Sequence, residues 1–439
     1  MKHFTYLKQV IKNALEDENY NEVDFEGTTF KEVIIGRDVN YDKQLENTDS
    51  ITLNTDNLII NGNGHIVNLN HHSDAFHVAA ENVIIKNFNF LNGKGFDGGA
   101  IKNTGVLKID NCTFTNCEAS DGGAIYNTGV LIVDNSIFEN NTTTYHLGNG
   151  GAISNENISL IYNSKFINNH SKHYGGAIFN GKTLMVDGCH FKKNSSSFYG
   201  GTIKNKGFLS FMDAIDVSSK GWEAIAGRTC SITKSVFEDS KGGLIRTSSD
   251  LDIENCTFRN NQDILSIHSS KINIKDCLFE NNQSYLIENT YSSIIHSIVS
   301  IENCDFINNK PSNKSYYDST LFRIGNDRKH WTIKNCRIEN NASDYILDSS
   351  FNEITFENVS FEDNDCELLI KYTESNYEKE GSLTLKDVSF KEKSENIIEC
   401  EGNLEINNCK FQKHHKINNE SVFDIYKSEK KFINRLKDD

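Results

Sequence analysis

Aromatic and histidine side chains collect in the segments that lead into successive Gly-Gly pairs. Tyr174 and Tyr199 each directly precede such a pair, and His173 and Phe198 stand before them. Stacked surface rings form a platform for sugar rings when polar groups surround them, so these four residues are candidate ligand-binding residues. The alternative is self-stacking that only makes the turn rigid. The histidine spacing is irregular and defines no ligand set, so we predict no metal site and no cofactor.

A second candidate binding feature is apolar. Ile132, Leu160 and Met185 recur at an outward position over three successive repeats, where later repeats carry polar residues. An exposed apolar stripe is typical of an interaction surface. The alternative is that a long loop or the N-terminal segment covers it. We therefore include these three residues among the candidate ligand-binding residues.

Glycosidases use two neighbouring carboxylates, and two outward rows were searched for such a pair. The first row runs six residues before each recurring aromatic, from Ile84 to Glu405, and contains no adjacent carboxylates. The second row follows the Gly-Gly pairs and also contains none: Lys102, Tyr126, Ser154, Phe179 and Lys204. No catalytic residue is therefore predicted on the strands, and an enzyme would need catalytic groups on its loops.

An internal repeat determines the elements that position these residues. The motif Gly-Gly-Ala-Ile begins at Gly98, Gly122, Gly150 and Gly175, with an altered copy at Gly200. A closing aromatic or aliphatic residue recurs about every 25 residues from Phe90 to Phe411, with a degenerate repeat near Ala214. This period is too short for two helices and suits one turn of a three-stranded coil. The sequence predicts an all-β parallel β-helix, a single solenoid of about 14 turns.

Each turn should contribute the same residue types to interior stacks. Period-two alternation places the closing aromatics and the residues two and five positions before them on one face of the strands. Seven of the 11 cysteines share one of these slots with Ser and Val, as small buried thiols rather than disulfides or zinc ligands. Asparagine ladders are predicted at Asn103 to Asn205 and at Asn141 to Asn364. An exposed row alternates in charge: Glu254, Lys275, Glu302, Lys334, Glu357 and Lys386.

The composition limits the partners and predicts how the chain is organised. The formal net charge of −16 argues against nucleic-acid binding. No 18-residue apolar run predicts a membrane span, and no secretory signal is recognisable at the start. Apolar spacing from Phe4 to Leu15 predicts an amphipathic helix. The predicted organisation is a helical cap over 1–20, the first β-helix turns over 21–92, the repeat β-helix over 93–412 and a polar tail or cap over 413–439, including a helix-like stretch over 428–436.

The repeats resemble those of known surface proteins. Gly-Gly-Ala-Ile followed by Phe-x-x-Asn, as at Phe138 to Asn141 and Phe166 to Asn169, resembles the repeats of chlamydial polymorphic outer-membrane proteins. The segment from Leu58 to Ile66 resembles the start of adhesin-like proteins of methanogenic archaea. Both groups belong to the pectate-lyase-like right-handed parallel β-helix group, so the resemblance implies a right-handed coil, cell-surface or secreted location and adhesion. The chain departs from them because it shows no signal peptide, anchor or C-terminal barrel.

Together these patterns favour a non-enzymatic, adhesin-like protein that presents an elongated surface to glycans or proteins. The alternative is a polysaccharide lyase or glycoside hydrolase with catalytic residues on its loops. A purely structural rod is a third possibility. The ligand, the compartment and the oligomeric state are not determined by the sequence.

Overall fold

The computed structural model describes residues 2–16, 20–25, 28–34, 41–42, 50–198, 200–205, 229–240, 244–247, 250–262, 264–267, 271–283, 285–289, 298–311, 319–324, 330–350, 352–373 and 381–419. The chain divides into two compact units, unit 1 (Met1–Asp252) and unit 2 (Ile253–Asp439). The fold is a nearly all-β parallel solenoid of about twelve turns, slightly fewer than predicted. The degenerate repeat near Ala214 and the helix-like stretch over 428–436 lie outside the described residues.

One helix, α1 (Phe4–Glu16), begins unit 1 and confirms the predicted amphipathic helix, with Leu7 and Ile11 buried. No helix within the described residues is long and apolar enough to cross a bilayer. The strands up to Thr247 are β1 Lys2–His3, β2 Asn21–Phe25, β3 Thr28–Ile34, β4 Tyr41–Asp42, β5 Ile51–Leu53, β6 Leu58–Asn68, β7 Phe76–Val78, β8 Val83–Leu91, β9 Lys94–Asp97, β10 Ile101–Asn103, β11 Val106–Asp110, β12 Thr113–Thr115, β13 Glu118–Asp121, β14 Ile125–Asn127, β15 Val130–Asp134, β16 Ile137–Glu139, β17 Thr142–Thr143, β18 Ile153–Asn155, β19 Ile158–Tyr162, β20 Lys165–Ile167, β21 His170–Ser171, β22 Ile178–Asn180, β23 Thr183–Asp187, β24 His190–Lys192, β25 Ser195–Ser196, β26 Ile203–Asn205, β27 Thr229–Thr233, β28 Val236–Glu238 and β29 Ile245–Thr247.

The remaining strands begin at Asp250. They are β30 Asp250–Glu254, β31 Thr257–Arg259, β32 Leu265–Ile267, β33 Lys271–Lys275, β34 Leu278–Glu280, β35 Ile287–Asn289, β36 Ile298–Glu302, β37 Asp305–Ile307, β38 Thr320–Ile324, β39 His330–Lys334, β40 Arg337–Glu339, β41 Ala342–Ser350, β42 Glu353–Glu357, β43 Ser360–Glu362, β44 Asp365–Thr373, β45 Ser382–Lys386, β46 Ser389–Lys391, β47 Asn396–Cys400, β48 Asn403–Asn407 and β49 Lys416–Asn419. Strand β49 pairs with β47, so the predicted polar tail begins with a paired strand.

Three sheets form the walls of the coil in unit 1. Sheet 1 takes two strands from each turn, such as β11 and β12, which are separated by a bend. Sheet 2 takes one short strand from each turn, in the order β5, β7, β10, β14, β18, β22, β26, β29, and sheet 3 joins β9, β13, β17, β21 and β25. Unit 2 has the corresponding strands of sheets 1 and 2. The described strands pair in parallel, apart from the antiparallel pair β2–β3.

The interior stacks are confirmed in both units. The rings of Phe114, Phe138 and Phe166 are nearly parallel, with centroids 4.8 Å apart between successive turns. In unit 2 the rings of Phe258 and Phe279 are 4.7 Å apart. These distances match the spacing of neighbouring strands, about 4.8 Å. The aromatic column therefore fixes the register of each turn on the next.

Asparagine has two separate structural roles, which the sequence analysis had merged. The ladder residues are buried, and Asn127 donates from Nδ2 to Oδ1 of Asn155 over 2.6 Å. The sharp bends use other asparagines: Asn111 (φ 49°) and Asn135 (φ 48°) separate the two strands of sheet 1 in their turns. Asparagine is one of the few residues that adopts this left-handed conformation readily.

The shared slot of cysteine and serine is a hydrogen-bonding position rather than an apolar one. The backbone N–H of Cys112 donates to Ser136 Oγ over 3.1 Å, and the N–H of Ser164 donates to Cys189 Sγ over 3.4 Å. Hydroxyl and thiol can each accept from one turn and donate to a carbonyl in their own turn. All eleven cysteines are reduced thiols.

Candidate functional site

The outer row of sheet 2 in unit 1 combines a strand-based position with cationic and aromatic side chains. Strand alternation puts Ile203 and Asn205 inside and Lys204 outside, and it does the same with Arg246 between Ile245 and Thr247. The row is in register over successive strands: His77, Lys102, Tyr126, Ser154, Phe179, Lys204 and Arg246. This row is called the unit 1 outer row below.

The cationic end of this row consists of Lys204 and Arg246, which are direct register partners on β26 and β29. Lys204 is only 8% exposed, whereas Arg246 is half-buried. The Lys204 ammonium lies 5.9 Å from the ring centroid of Tyr174, a cation–π distance. Two neighbouring cations in a partly dehydrated site attract a carboxylate more strongly than exposed cations do.

Carboxylates on the sheet 3 strands β9 and β13 lie beside the opposite end of the row. Asp97 Oδ2 accepts a 2.8 Å bond from Lys102 Nζ. Asp121 accepts a 2.8 Å bond from the Asn149 N–H, and burial raises the pKa of this carboxyl, with the Asp97 charge adding to the increase. Burial, together with the charges of Glu156, Asp97 and Asp121, raises the pKa of Tyr126 to about 12. Tyr126 is therefore protonated at neutral pH.

The side chains in the middle of the row are buried. Ser154 is fully buried and Phe179 is 3% exposed. Within the described residues, Ser154 Oγ has no hydrogen-bond partner. A buried hydroxyl without a partner costs about 1–3 kcal/mol. The row thus contains an unsatisfied polar group between its two charged ends.

The predicted aromatic residues lie beside this row. His173 packs on Tyr174 with ring centroids 3.5 Å apart and meets Phe198 edge-on at 5.3 Å. Phe198 is 63% exposed. Tyr199 lies outside the described residues, so its predicted stacking with Tyr174 stays a prediction. The structure brings His173, Tyr174 and Phe198 together at the edge of the candidate site.

A glycine pair allows the Tyr174 turn to approach the neighbouring turns. Gly175 has φ of 66°, which favours glycine. A Cβ on Gly176 would lie 2.0 Å from the carbonyl oxygen of Gly201. Larger residues at these positions would therefore push apart the turns that carry Tyr174 and Lys204.

The predicted apolar stripe is in register but only partly exposed. Ile132, Leu160 and Met185 are direct partners on β15, β19 and β23. Leu160 is only 7% exposed, contrary to the expectation of an exposed stripe. The Tyr162 hydroxyl lies 3.7 Å from Met185 Sδ, so large neighbouring side chains cover part of the stripe.

The sequence search missed several carboxylate pairs, including Asp97–Asp121 and Glu339–Glu362. A further pair lies in the row four residues before the aromatic in the early turns, which was not searched. Asp110 and Asp134 are register partners there, on β11 and β15, and both are half-buried. Asn163 Nδ2 donates to Asp134 over 3.1 Å. Within the described residues, no group of three or more His, Cys, Asp or Glu side chains is arranged to hold a metal ion.

The sequence analysis also missed Arg246, although a variant of the repeat motif directly precedes it. Gly242-Gly243-Leu244-Ile245 is a further copy of the Gly-Gly-Ala-Ile motif with Leu in place of Ala. It follows the long irregular segment after Asn205, where the regular spacing is interrupted. Lys204 stood in a row that was searched for carboxylates, which is the chemistry of hydrolases. A search for paired cations would have found both residues.

The comparisons with known proteins agree with the fold. The family described as right handed beta helix region matches residues 200–321, which agrees with the predicted hand. The resemblance to chlamydial and methanogen surface proteins finds no support. No curated protein matches the chain significantly.

Three solved structures are similar to this chain. One is an alginate lyase, AlyF-OU02, in complex with G6, with 12% identity, a TM-score of 0.31, and coverage of 92% of this chain and 86% of that chain. Another is a mannuronic acid specific polysaccharide family 6 lyase from human gut microbiota, with 11% identity, a TM-score of 0.33, and coverage of 92% and 83%. The periplasmic alginate epimerase AlgG has 9% identity, a TM-score of 0.29, and coverage of 81% and 77%.

These findings correct the functional expectation. The adhesin-like, non-enzymatic interpretation is wrong, because the similar structures are polysaccharide-acting enzymes, the class of its stated alternative. At such identities the likeness extends to the fold alone. The reaction has to be argued from the residues of this chain.

Proposed function

We propose that this protein is a lyase that cleaves an acidic, uronate-containing polysaccharide by β-elimination. The observation that carries the proposal is the register of Lys204 and Arg246 on the unit 1 outer row. The chain has a formal net charge of −16, so a polyanionic substrate needs a local group of cations to bind. Lys204 and Arg246 supply such a group, with Tyr174 beside it.

β-Elimination from a uronate requires stabilisation of the negative charge that develops on the carboxylate, and neighbouring cations can provide it. The C5 proton is weakly acidic because its removal places negative charge on the adjacent carboxylate. A guanidinium on that carboxylate stabilises this charge as it develops, and its two parallel N–H donors suit a carboxylate. We assign this role to Arg246.

The proton transfers require a base and an acid. Lys204 Nζ is assigned, in its neutral form, as the base that takes the C5 proton. While Lys204 acts as the base, Arg246 is the cation that remains on the substrate carboxylate. The electron pair of the C5–H bond forms the C4=C5 double bond, and the C4–O4 bond breaks. The leaving O4 takes a proton from the Tyr174 hydroxyl, and transfer of a proton from Lys204 to Tyr174 restores the site.

The test is to incubate the purified full chain with a panel of polyuronates and follow ultraviolet absorbance of the conjugated C4=C5 product. Lys204→Ala and Arg246→Ala should each lower kcat/KM by about 10²–10⁴-fold. Arg323→Ala is the matched control, because Arg323 occupies the corresponding outward position in unit 2 but lies 3.8 Å from Glu288. The proposal fails if no polyuronate gives the product or if Lys204→Ala keeps full activity.

The Asp110–Asp134 pair supports a second candidate, glycoside hydrolysis. Neighbouring strands are about 4.8 Å apart, close to the carboxyl separation of about 5–5.5 Å in retaining glycosidases. A hydrolase would release saturated sugar ends without the absorbance change. Asp110→Asn with Asp134→Asn would abolish that release and leave elimination at Lys204 unaffected, so the two candidates are separable.

A further inference from the structure

Four cysteines occupy the same interior slot on successive turns of unit 2. Cys256, Cys277, Cys304 and Cys336 each stand two residues before the closing aromatic or aliphatic residue, and their strands are in register. All four are at most 3% exposed. The result is a row of adjacent thiols, which we call the thiol row.

Each thiol in the row takes part in directed hydrogen bonds. The backbone N–H of Cys256 lies 3.5 Å from Cys277 Sγ, and the N–H of Cys304 lies 3.4 Å from Cys336 Sγ. Cys277 Sγ donates to the Lys275 carbonyl over 3.1 Å. N–H donors aimed at sulfur stabilise a thiolate, which is the form that binds metals.

The same slot in unit 1 is different. There Cys112 is followed by Ser136 and Ser164, and Cys189 is followed by Ser235. Serine makes the same bonds to the backbone, so structure alone does not require four consecutive cysteines. The contiguous thiols of unit 2 need a further explanation.

We propose that the thiol row is a binding site for a soft d¹⁰ cation, Cu(I), held between the sulfurs of two adjacent turns. Thiolate ligands suit Cu(I), zinc and iron–sulfur clusters, but structural zinc and the clusters use four ligands, whereas two adjacent turns of this row offer two. A metal–thiolate bond is about 2.3 Å, so a linear S–metal–S unit spans about 4.6 Å. Strands in register are about 4.8 Å apart, which matches this span.

The site would hold the cation with two ligands. This agrees with the described residues having no cluster of three or more ligating side chains. Binding replaces two S–H protons by one Cu(I) and releases both protons, without any change of oxidation state.

A path to the sulfurs is present at the surface. A shallow groove beside the bend of sheet 1 is lined by Cys256 and Cys277, together with Asn255, Asp276 and Asp305. The Asp276 carboxylate, which accepts from Asn303 Nδ2, would attract a cation to its mouth, whereas Asp305 is paired with Arg337. The first pair, Cys256 and Cys277, is therefore the expected first site, and Cys304 with Cys336 is the second.

The test is anaerobic titration of the full chain with Cu(I), following thiolate-to-copper charge-transfer absorbance and bound copper after desalting. We expect about two Cu(I) per chain, one for each pair of neighbouring thiolates. Cys277→Ser combined with Cys304→Ser leaves no two cysteines adjacent and should abolish this binding. The serines keep the backbone hydrogen bonds, as they do in unit 1, so the fold should persist by circular dichroism.

The matched control is Cys112→Ser combined with Cys189→Ser, which removes two buried thiols that have serine neighbours. It should bind as much Cu(I) as the unaltered chain. The proposal is overturned if the unaltered folded chain binds no Cu(I), if the 277/304 variant binds as much as before, or if binding appears only as the circular dichroism of the fold is lost. Loss of binding in the control variant would equally overturn it.

Discussion

The outward faces of sheet 2 differ between the two units, although their strands have the same pattern. In unit 2 the row reads Glu288, Arg323, Asp348, Lys371 and Glu399, with opposite charges on successive strands. In unit 2, Arg323 lies 3.8 Å from Glu288, and Lys371 Nζ lies 4.8 Å from the Tyr345 ring centroid. In unit 1, Lys204 and Arg246 are two cations side by side.

This difference shows how one repeat can serve two purposes. Opposite charges on adjacent strands stabilise the register of the turns. Like charges directly opposite on adjacent strands weaken it, and a bound polyanion of the kind proposed above would offset the repulsion. The row in unit 2 thus has the features of a structural ladder, and the row in unit 1 those of a binding site.

The largest effect that we expect from this difference concerns the tyrosines beside the two rows. Tyr174→Phe should lower kcat for elimination by about 10²-fold or more with little change in KM, because the ring still packs on Lys204 while the proton donor is lost. Tyr285→Phe is the control, since Tyr285 contacts Arg323 at 5.5 Å in unit 2. Equal losses in both variants would show that the two rows do not differ in function.

The interiors of the two units should lose similar stability on substitution, although the outward faces of their sheets differ. Asn169 accepts from the backbone N–H and Nδ2 of Asn141 and donates to the Phe138 carbonyl over 3.0 Å. Asn282 makes the same three bonds in unit 2. Alanine at either position should lower the free energy of unfolding by about 2–5 kcal/mol, because buried polar groups lose their partners. Urea denaturation would measure it, and a large difference between the two variants would contradict equivalent interiors.

The second asparagine ladder ends differently in the two units. In unit 2 the carboxylate of Glu392 accepts from the Asn364 N–H at 2.8 Å and from Asn364 Nδ2 at 2.7 Å. Burial raises the pKa of Glu392 above its ordinary value of 4.5. The folded form therefore holds this proton more tightly, so its contribution to stability is complete below about pH 4.5 and is lost as pH rises through the raised pKa.

Glu392→Gln should remove this pH dependence, so the unaltered chain should gain stability relative to the variant between pH 7 and pH 4.5. Glu392→Ala should cost about 1–3 kcal/mol at pH 7, because both Asn364 donors lose their acceptor. Unfolding free energies of the three proteins at the two pH values test this. A relative gain of the unaltered chain on raising the pH would contradict the assigned direction.

The smallest expected effect belongs to the exposed ladder of sheet 1. Lys334 is in register with Glu302 and Glu357, as the sequence predicted, and its Nζ lies 3.3 Å from Glu357 Oε1. Lys334→Glu should lower Tm through the loss of two pairs worth about 0.2–1 kcal/mol each, and salt should reduce the difference. Lys275→Glu removes the register partner of Glu302 and is the weaker comparison.

The repeat made the interior predictable from the sequence. Phe138 and Asn155 recur with the same neighbours in every turn, so period and alternation alone place them. The burial of Leu160 was not predictable, because it depends on the sizes of neighbouring side chains. Glu392 replaces the ladder asparagine from a position one residue earlier in its turn, a shift that strict spacing does not reveal.

The outer row of unit 1 was located from the sequence, but the chemistry now proposed for it was not. Lys204 was placed outward correctly, and a search limited to carboxylates gave it no role. Arg246 was not recognised as a member of the row, because the spacing of the repeat motifs becomes irregular after Asn205. The position of a residue in the repeat determines whether its side chain points inward or outward. Function depends instead on residues whose type departs from the repeat.

Because each turn pairs with the turn before it, the protein can begin to fold while it is still being synthesised. Parallel partners on successive turns are close in sequence: Phe114 and Phe138, for example, are 24 residues apart. A nascent chain can therefore add a turn to an existing one as soon as about 25 further residues have left the ribosome, without waiting for the C-terminus. The already folded turn would act as a template, so a stalled or truncated chain of unit 1 should still hold ordered turns at its N-terminal side.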